Sequence, residues 1–314
     1  MKPVAIAVAD LHLSDKPPTA RSTEKDWYGY MQSCLSKLRE VQDEISQEAK
    51  QKIPILYAGD IFHTFNEPAA VINMAMAELP PGLAIPGQHD LEHHQYKNIK
   101  RTAYWTLVEA GTLTNLEPYE RVAIGDNVRV TGFPWDTKPK PSKPNPEKID
   151  IALIHRYVWS NALNSFIGAS KSRALPVIEE SLNGYKFAVF GDNHITWCAS
   201  KGDPITQTVI NCGCFLQRRI DERFYQAPRI WILNSDGSVH FTELDTSVYS
   251  WNDAEDSKEE IKNTFDASSL MTEFHKLAST GVDFLEQIRR FAEHSDLTTR
   301  TKELLQDILK EFKS

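Results

Sequence analysis

Residues 53–63 read IPILYAGDIFH. A short apolar run with β-branched residues, opened by a proline and closed by a glycine, reads as a buried strand. Asp60 and His63 follow at once, where such a strand would emerge from the core. The same design recurs on both sides. VAIAVADLH at 4–12 ends in Asp10 and His12, and LAIPGQHD at 83–90 ends in Gln88, His89 and Asp90. IDIALIH at 149–155 ends in His155, and FAVFGDNH at 187–194 ends in Asp192 and His194. Further apolar runs at Val128–Thr131, Thr206–Ile210, Ile230–Leu233 and Val239–Leu244 add strands without such endings.

Helical patterns separate the early runs. The clearest is Thr23–Lys50, with Trp27, Met31, Leu35, Leu38, Val41 and Ile45 on one stripe and a capping box expected at Thr23-x-x-Asp26. Pro68–Leu79 and Ile99–Ala110 are shorter candidates. Alternating strands and helices predict an α/β fold, with an antiparallel part after about residue 200, where the strands crowd together. In such sheets, ligands bind beyond the carboxyl ends of the strands. Carboxylates and imidazoles gathered at one such place repel one another or stay unsatisfied unless a cation joins them. A mixed nitrogen and oxygen set suits Mn²⁺, Fe²⁺ or Zn²⁺ better than Ca²⁺.

The ordered series DLH (10–12), GDIFH (59–63), GQHD (87–90), His155 and GDNH (191–194) resembles the motifs of the calcineurin-like metallophosphoesterases. His63, at a position where phosphatases of that superfamily carry Asp, is similar to the SbcD-type DNA-repair nucleases. The turn Asn211-Cys212-Gly213 followed by Asp221-Glu222 looks like the end of their catalytic domain. The resemblance implies a four-layer α/β/β/α sandwich and two divalent metal ions, Mn²⁺ foremost and Mg²⁺ as the second choice. It places Asp10, His12 and His194 on the first ion, His155, Gln88 and Asp192 on the second, and Asp60 between them. It places His89 beside the scissile phosphate, oriented by Asp90, and His63 against the DNA backbone. The implied reaction is phosphodiester hydrolysis by a metal-bound hydroxide. Implied partners are DNA as substrate and an SbcC-like coiled-coil ATPase docked on C-terminal helices; some relatives form homodimers. Gln88 stands where the family has Asn, and Asp192 where it has His. Two alternatives stay open: a nucleotide phosphodiesterase or phosphatase of the same superfamily, against which His63 counts, and a scaffold whose second metal site has decayed, which these two departures favour.

Composition narrows the partners. The 314 residues carry 35 Lys+Arg against 43 Asp+Glu, net −8, which argues against a polybasic nucleic-acid coat. Residues 251–314 hold net −5 of this, so the larger part is almost neutral. Four cysteines (Cys34, Cys198, Cys212, Cys214) make no disulfide framework and fit a reducing cytoplasm. Val4–Ala9 is not read as a signal peptide, and no run approaches the ~18 apolar residues of a membrane span. The stretch DTKPKPSKPNPEK (136–148) reads as a solvated loop, alternatively as a basic arm near substrate. The expected division is a nuclease domain over 1–248 and, over 249–314, an acidic linker with a helical appendage at Phe265–Ala278, Val282–His294 and Leu297–Phe312. Trp135, Trp159 and Trp197 follow strand ends, where packing is favoured over base stacking. Lys97, Arg101, Arg218, Arg219 and Arg223 are candidates for phosphate contacts, and His93 and His94 for loop contacts to substrate.

Overall fold

A computed structural model describes residues 2–166, 169–202, 206–247 and 249–252. The first sheet runs β12-β11-β1-β2-β3-β4, from β1 (Pro3–Val8), β2 (Ile55–Tyr57), β3 (Gly82–Ala84), β4 (Leu113–Asn115), β11 (Arg229–Asn234) and β12 (Val239–Glu243). The second runs β5-β6-β7-β8-β10-β9, from β5 (Arg121–Ile124), β6 (Val128–Phe133), β7 (Ile149–His155), β8 (Phe187–Gly191), β9 (Trp197–Lys201) and β10 (Gln207–Asn211). The strands that end in the polar clusters lie side by side and parallel: β1 on β2, β2 on β3, β7 on β8. Antiparallel pairing is confined to the edges, where β11 joins β1 and β12, β9 joins β10, and β5 joins β6.

The two sheets pack face to face. Ala5, Ala7, Leu56 and Ala58 of the first share a buried apolar cluster with Val130, Ile151, Leu153, Val189 and Ile210 of the second. Small residues on the first sheet opposite branched ones on the second let the layers interlock. A second core lies on the other face of the first sheet, beneath α1 (Trp27–Ala49), α2 (Ala69–Glu78) and α3 (Ala103–Glu109). α1 starts because Asp26 accepts the Gly29 N–H at 2.8 Å, and it stops at Lys50 in left-handed backbone. It buries Trp27, Met31, Leu35, Leu38 and Val41; truncating one of the leucines to Ala would cost about 2–5 kcal/mol. The described helical elements between β7 and β8 are all short, such as Glu179–Leu182. Two mixed sheets packed face to face, with helices on the first, form the expected α/β sandwich.

Residues 159–178 form a separate compact excursion between β7 and β8, which includes α4 (Leu175–Ile178). It is closed by its own bonds: the Trp159 indole N–H donates to the Ser170 carbonyl at 3.2 Å, and Leu175 N–H to the Trp159 carbonyl at 2.8 Å. Trp159 therefore anchors its own loop, and Trp197 is buried on β9. The helices expected beyond residue 265 lie outside the described residues. Residues 249–252, assigned to the appendage from sequence, bind the first domain. Arg21, fully buried, lies against the rings of Tyr30, Tyr249 and Trp251 at 4.5, 4.3 and 5.1 Å. Its guanidinium donates to the carbonyls of Ser250 and Gln217 and to Glu24.

Candidate metal centre

The carboxyl ends of β1, β2 and β3 in one sheet and of β7 and β8 in the other meet at one place. Asp10, His12, Asp60 and His155 are buried there. The chain reaches this geometry through left-handed backbone at Asp10 (φ 53°), His12 (φ 46°), Asp60 (φ 53°) and Asp192 (φ 83°). Sharp turns directly after the strands swing these side chains inward. Gly59 (φ 96°) makes one of them possible, since a Cβ there would lie 2.2 Å from the His155 Nδ1.

Four overlapping groups of ligand atoms form among the described residues, each with its atoms within 4.8 Å of one another: Asp10, His12 and His194; Asp10, Asp60 and His155; His12, His63 and His89; and His194, Cys214 and Glu222. His12 and His194 aim their Nε2 atoms at each other across 3.3 Å. His194 Nδ1–H is committed to Glu222 Oε1 at 2.5 Å, so in the neutral ring its Nε2 carries a lone pair. His155 Nδ1–H likewise donates to the Ala58 carbonyl at 2.6 Å, leaving Nε2 facing Gln88 Oε1 at 2.6 Å and Asp60 Oδ2 at 3.4 Å. Asp60 Oδ1 accepts the His89 N–H at 2.9 Å, whereas Oδ2 is buried and makes no hydrogen bond, with His12 Nε2 3.8 Å away. In the neutral rings these nitrogen lone pairs face one another and the amide oxygen, beside an orphaned carboxylate oxygen, which is the donor set of a cation site. The residues fit divalent cations: the first two groups share Asp10, and Asp60 Oδ2 faces both His155 and His12.

Electrostatics agree. Burial pushes the Asp10 carboxyl up to about 7, against the pull of His155 and His194. Burial also works against charge on Asp60, yet His155 and His12 outweigh it and hold Asp60 below its usual range. Burial disfavours charge on His155, but Asp60 outweighs it and lifts that imidazole to about 10. His194 rises to about 9 because the Glu222 hydrogen bond outweighs burial. Both imidazoles thus sit where positive charge is favoured, which is what a cation would exploit.

His89 and His63 stand beside this centre. Their rings stack at 5.3 Å and 19°, and His89 lies edge-on to His12 at 4.8 Å. His89 Nδ1 bonds the His63 carbonyl at 2.8 Å. Asp90 does not orient His89 as the resemblance implied. Its carboxylate is taken up by the backbone N–H groups of Ile61, Phe62 and Gly87 at 3.2, 2.9 and 2.9 Å. Asp90 therefore ties the β2 and β3 loops together, and the His63 carbonyl does the orienting. Burial together with the Arg218 charge pushes the His63 imidazole down to about 4.

Asp192 comes to the centre with its Oδ1 accepting from Gln88 Nε2 at 3.0 Å and its N–H donating to Asp10 at 3.0 and 3.2 Å. Arg218, a sequence candidate for phosphate contact, is buried and donates to the His12 carbonyl and Ser14 Oγ at 3.1 and 2.8 Å. His94 Nδ1 lies 3.0 Å from the Gln88 carbonyl. Trp135 lies edge-on to His155 at 6.2 Å. Glu222 is the site residue whose role the sequence did not reveal. Beyond His194, it accepts from the backbone N–H of Arg218 at 2.6 Å and of Arg219 at 2.9 Å.

Comparison with known proteins gives the same family. The profile of the calcineurin-like phosphoesterases matches residues 4–196. No curated protein matches the chain. Similar solved structures include a metallophosphoesterase from Sphaerobacter thermophilus, 14% identical at TM-score 0.35, covering 84% of this chain and 95% of that one. The sulfate thiohydrolase SoxB of Thermus thermophilus is 12% identical at TM-score 0.42, covering 82% and 59%. The protein TT1561, also of Thermus thermophilus, is 11% identical at TM-score 0.43, covering 77% and 99%. The family assignment rests on the sequence match together with the site: the chain belongs to the calcineurin-like phosphoesterases, hydrolases of phosphoester bonds that use divalent metals.

Proposed function

We propose that the chain is a Mn²⁺-dependent DNA nuclease of the SbcD type, cutting phosphodiester bonds, with a coiled-coil ATPase as its partner. The observation that carries this reading is His63. It is stacked on His89 beside the metal ligands and is held neutral, where a phosphatase of the family would present a carboxylate. A neutral imidazole does not repel a second backbone phosphate. Asp10, His12 and His194 would hold one cation, Gln88 and His155 the other, and Asp60 both. The cations would polarise the phosphate and supply a nucleophile near neutral pH. His89, with Nδ1–H fixed on the His63 carbonyl, presents Nε2 to the leaving oxygen and in its doubly protonated form would deliver the Nε2 proton, keeping the one on Nδ1. Asp90 keeps the two loops that carry His63 and His89 in register through its three backbone bonds.

The test is end-labelled linear DNA, single- and double-stranded, incubated with Mn²⁺, Mg²⁺ or chelator, with His89→Ala alongside. Mn²⁺-dependent cleavage, lost in that variant, is expected. Hydrolysis of nucleotides or bis(p-nitrophenyl) phosphate with intact DNA would overturn the nuclease reading in favour of a nucleotide phosphodiesterase.

A further inference from the structure

We propose that Asp192 does not ligate the second cation but positions Gln88, leaving the centre with one tight and one weak metal site. This rests on the metal-centre reading above. A carboxamide has one donor end and one acceptor end, and the Gln88 amide uses both. Nε2 donates to Asp192 Oδ1 at 3.0 Å, and Oε1 faces His155 Nε2 at 2.6 Å. The reverse orientation would set the amide oxygen against a carboxylate oxygen, so Asp192 decides that an oxygen, not an NH₂, is turned towards His155 and Asp60. Asp192 is itself held, because its N–H donates to the Asp10 carboxylate.

The two departures from the family pattern then explain each other. Gln88 is one methylene longer than the family's Asn, and its amide spans from the end of β3 to the end of β8. Asp192, in place of a histidine, supplies the acceptor that the amide needs. Asp10, His12 and His194 converge on the first ion, with Asp60 beside them. Asp10, Asp60 and His155 converge on the second, joined by Gln88 Oε1 at 2.6 Å from His155 Nε2. With a neutral amide where the first set has a second imidazole, the second set binds a divalent ion more weakly.

The experiment is a Mn²⁺ titration of metal-free protein, read by calorimetry and by the electron paramagnetic resonance signal of unbound Mn²⁺. Wild type should show two events separated by at least about tenfold in Kd, the size of effect typical of shell changes around a metal. A mutant cycle reads the positioning role. Asp192→Asn removes the charge but keeps an oxygen that can accept from Gln88. Going from Asn to Ala at 192 should weaken the second event about tenfold when Gln88 is present and not at all in a Gln88→Ala background. Equal weakening in both backgrounds would mean that residue 192 ligates by itself and would overturn the proposal. Two wild-type events of equal affinity would overturn it as well. No Mn²⁺ binding by folded wild type would refute the metal-centre reading itself.

Discussion

Replacing Glu222 by Gln changes one atom and should weaken the first cation site. The Glu222 carboxylate collects three N–H groups: His194 Nδ1 at 2.5 Å, Arg218 N at 2.6 Å and Arg219 N at 2.9 Å. Burial alone would raise its pKa, but the His194 hydrogen bond and charge, with the two backbone bonds, outweigh it and hold it below the usual value. Glutamine has one oxygen. If that oxygen serves the backbone pair, the NH₂ meets the His194 Nδ1–H. If it serves His194, the NH₂ meets two backbone donors. The ring can escape the first conflict by moving its proton to Nε2, which removes the lone pair that faces His12. A hydrogen bond to a charged group contributes about 1.5–3 kcal/mol, and loss of such a partner lowers metal affinity by about 10–100-fold. A factor of ten corresponds to about 1.4 kcal/mol, so the two magnitudes agree. Mn²⁺ titration should therefore show the first Kd rising at least tenfold in Glu222→Gln. Nitrogen-15 spectra of the metal-free proteins, recorded above the His194 pKa of about 9 so that the ring is neutral, should show the variant shifted towards the Nε2–H tautomer. A folded variant with an unchanged first Kd and the wild-type tautomer would refute the reasoning.

Gly59→Ala places a Cβ 2.2 Å from His155 Nδ1 at φ 96°, and should destabilise by about 2 kcal/mol or more in thermal unfolding while abolishing the second Mn²⁺ event. Gly111→Ala, at φ 75° with nothing within 4 Å, is the strain-only control and should cost about 1 kcal/mol; equal effects would refute the steric account. His63 should titrate near pH 4 in histidine C–H spectra of the metal-free protein. Its folded pKa lies below the unfolded value of 6.5, so its contribution to stability is complete above that value and declines as pH falls towards 4; a midpoint near 6.5 would refute it. Mn²⁺ at about a hundred times its Kd should stabilise the fold by about 2.7 kcal/mol, reversed by chelator, and an unmoved Tm would count against the cation site. Arg21→Ala should cost about 3 kcal/mol in denaturant unfolding, since it empties a fully buried space among Tyr30, Tyr249 and Trp251; a loss below about 0.5 kcal/mol would show that residues 249–252 hold without it.

The sequence revealed most of the buried strands as short apolar runs, five of them with a polar group directly after, and it also revealed the largely exposed β12. It did not reveal β4, β5 or β9. β4 is three residues long, β5 alternates exposed and half-buried positions, and β9 is an edge strand with exposed polar residues. The helix expected over Ile99–Ala110 is two elements. Thr102 leaves helical backbone (φ −116°, ψ 160°) and caps α3 with its Oγ1, so the first half is a separate turn. α1 starts at Trp27 and not at Thr23, because Asp26 is the cap and Thr23 Oγ1 instead accepts from Ser250. At the centre, local motifs marked the residues that converge but not their pairings. Glu222 meets His194 across 28 positions, and Gln88 meets Asp192 across 104, distances over which no spacing rule operates. Asp90 shows the reverse error: the family resemblance implied a partnership with His89, yet its carboxylate points back to the backbone.

The left-handed backbone at Asp10, His12, Asp60 and Asp192 carries a consequence for how this chain ages. Each such residue stores on the order of 1 kcal/mol that a glycine would release. For a polypeptide selected only to fold, these are the places where random substitution runs downhill, relaxing the backbone and deleting a costly side chain in one step. Neutral drift would empty this centre first. A descendant that lost the site would be expected to lose these torsion angles with it.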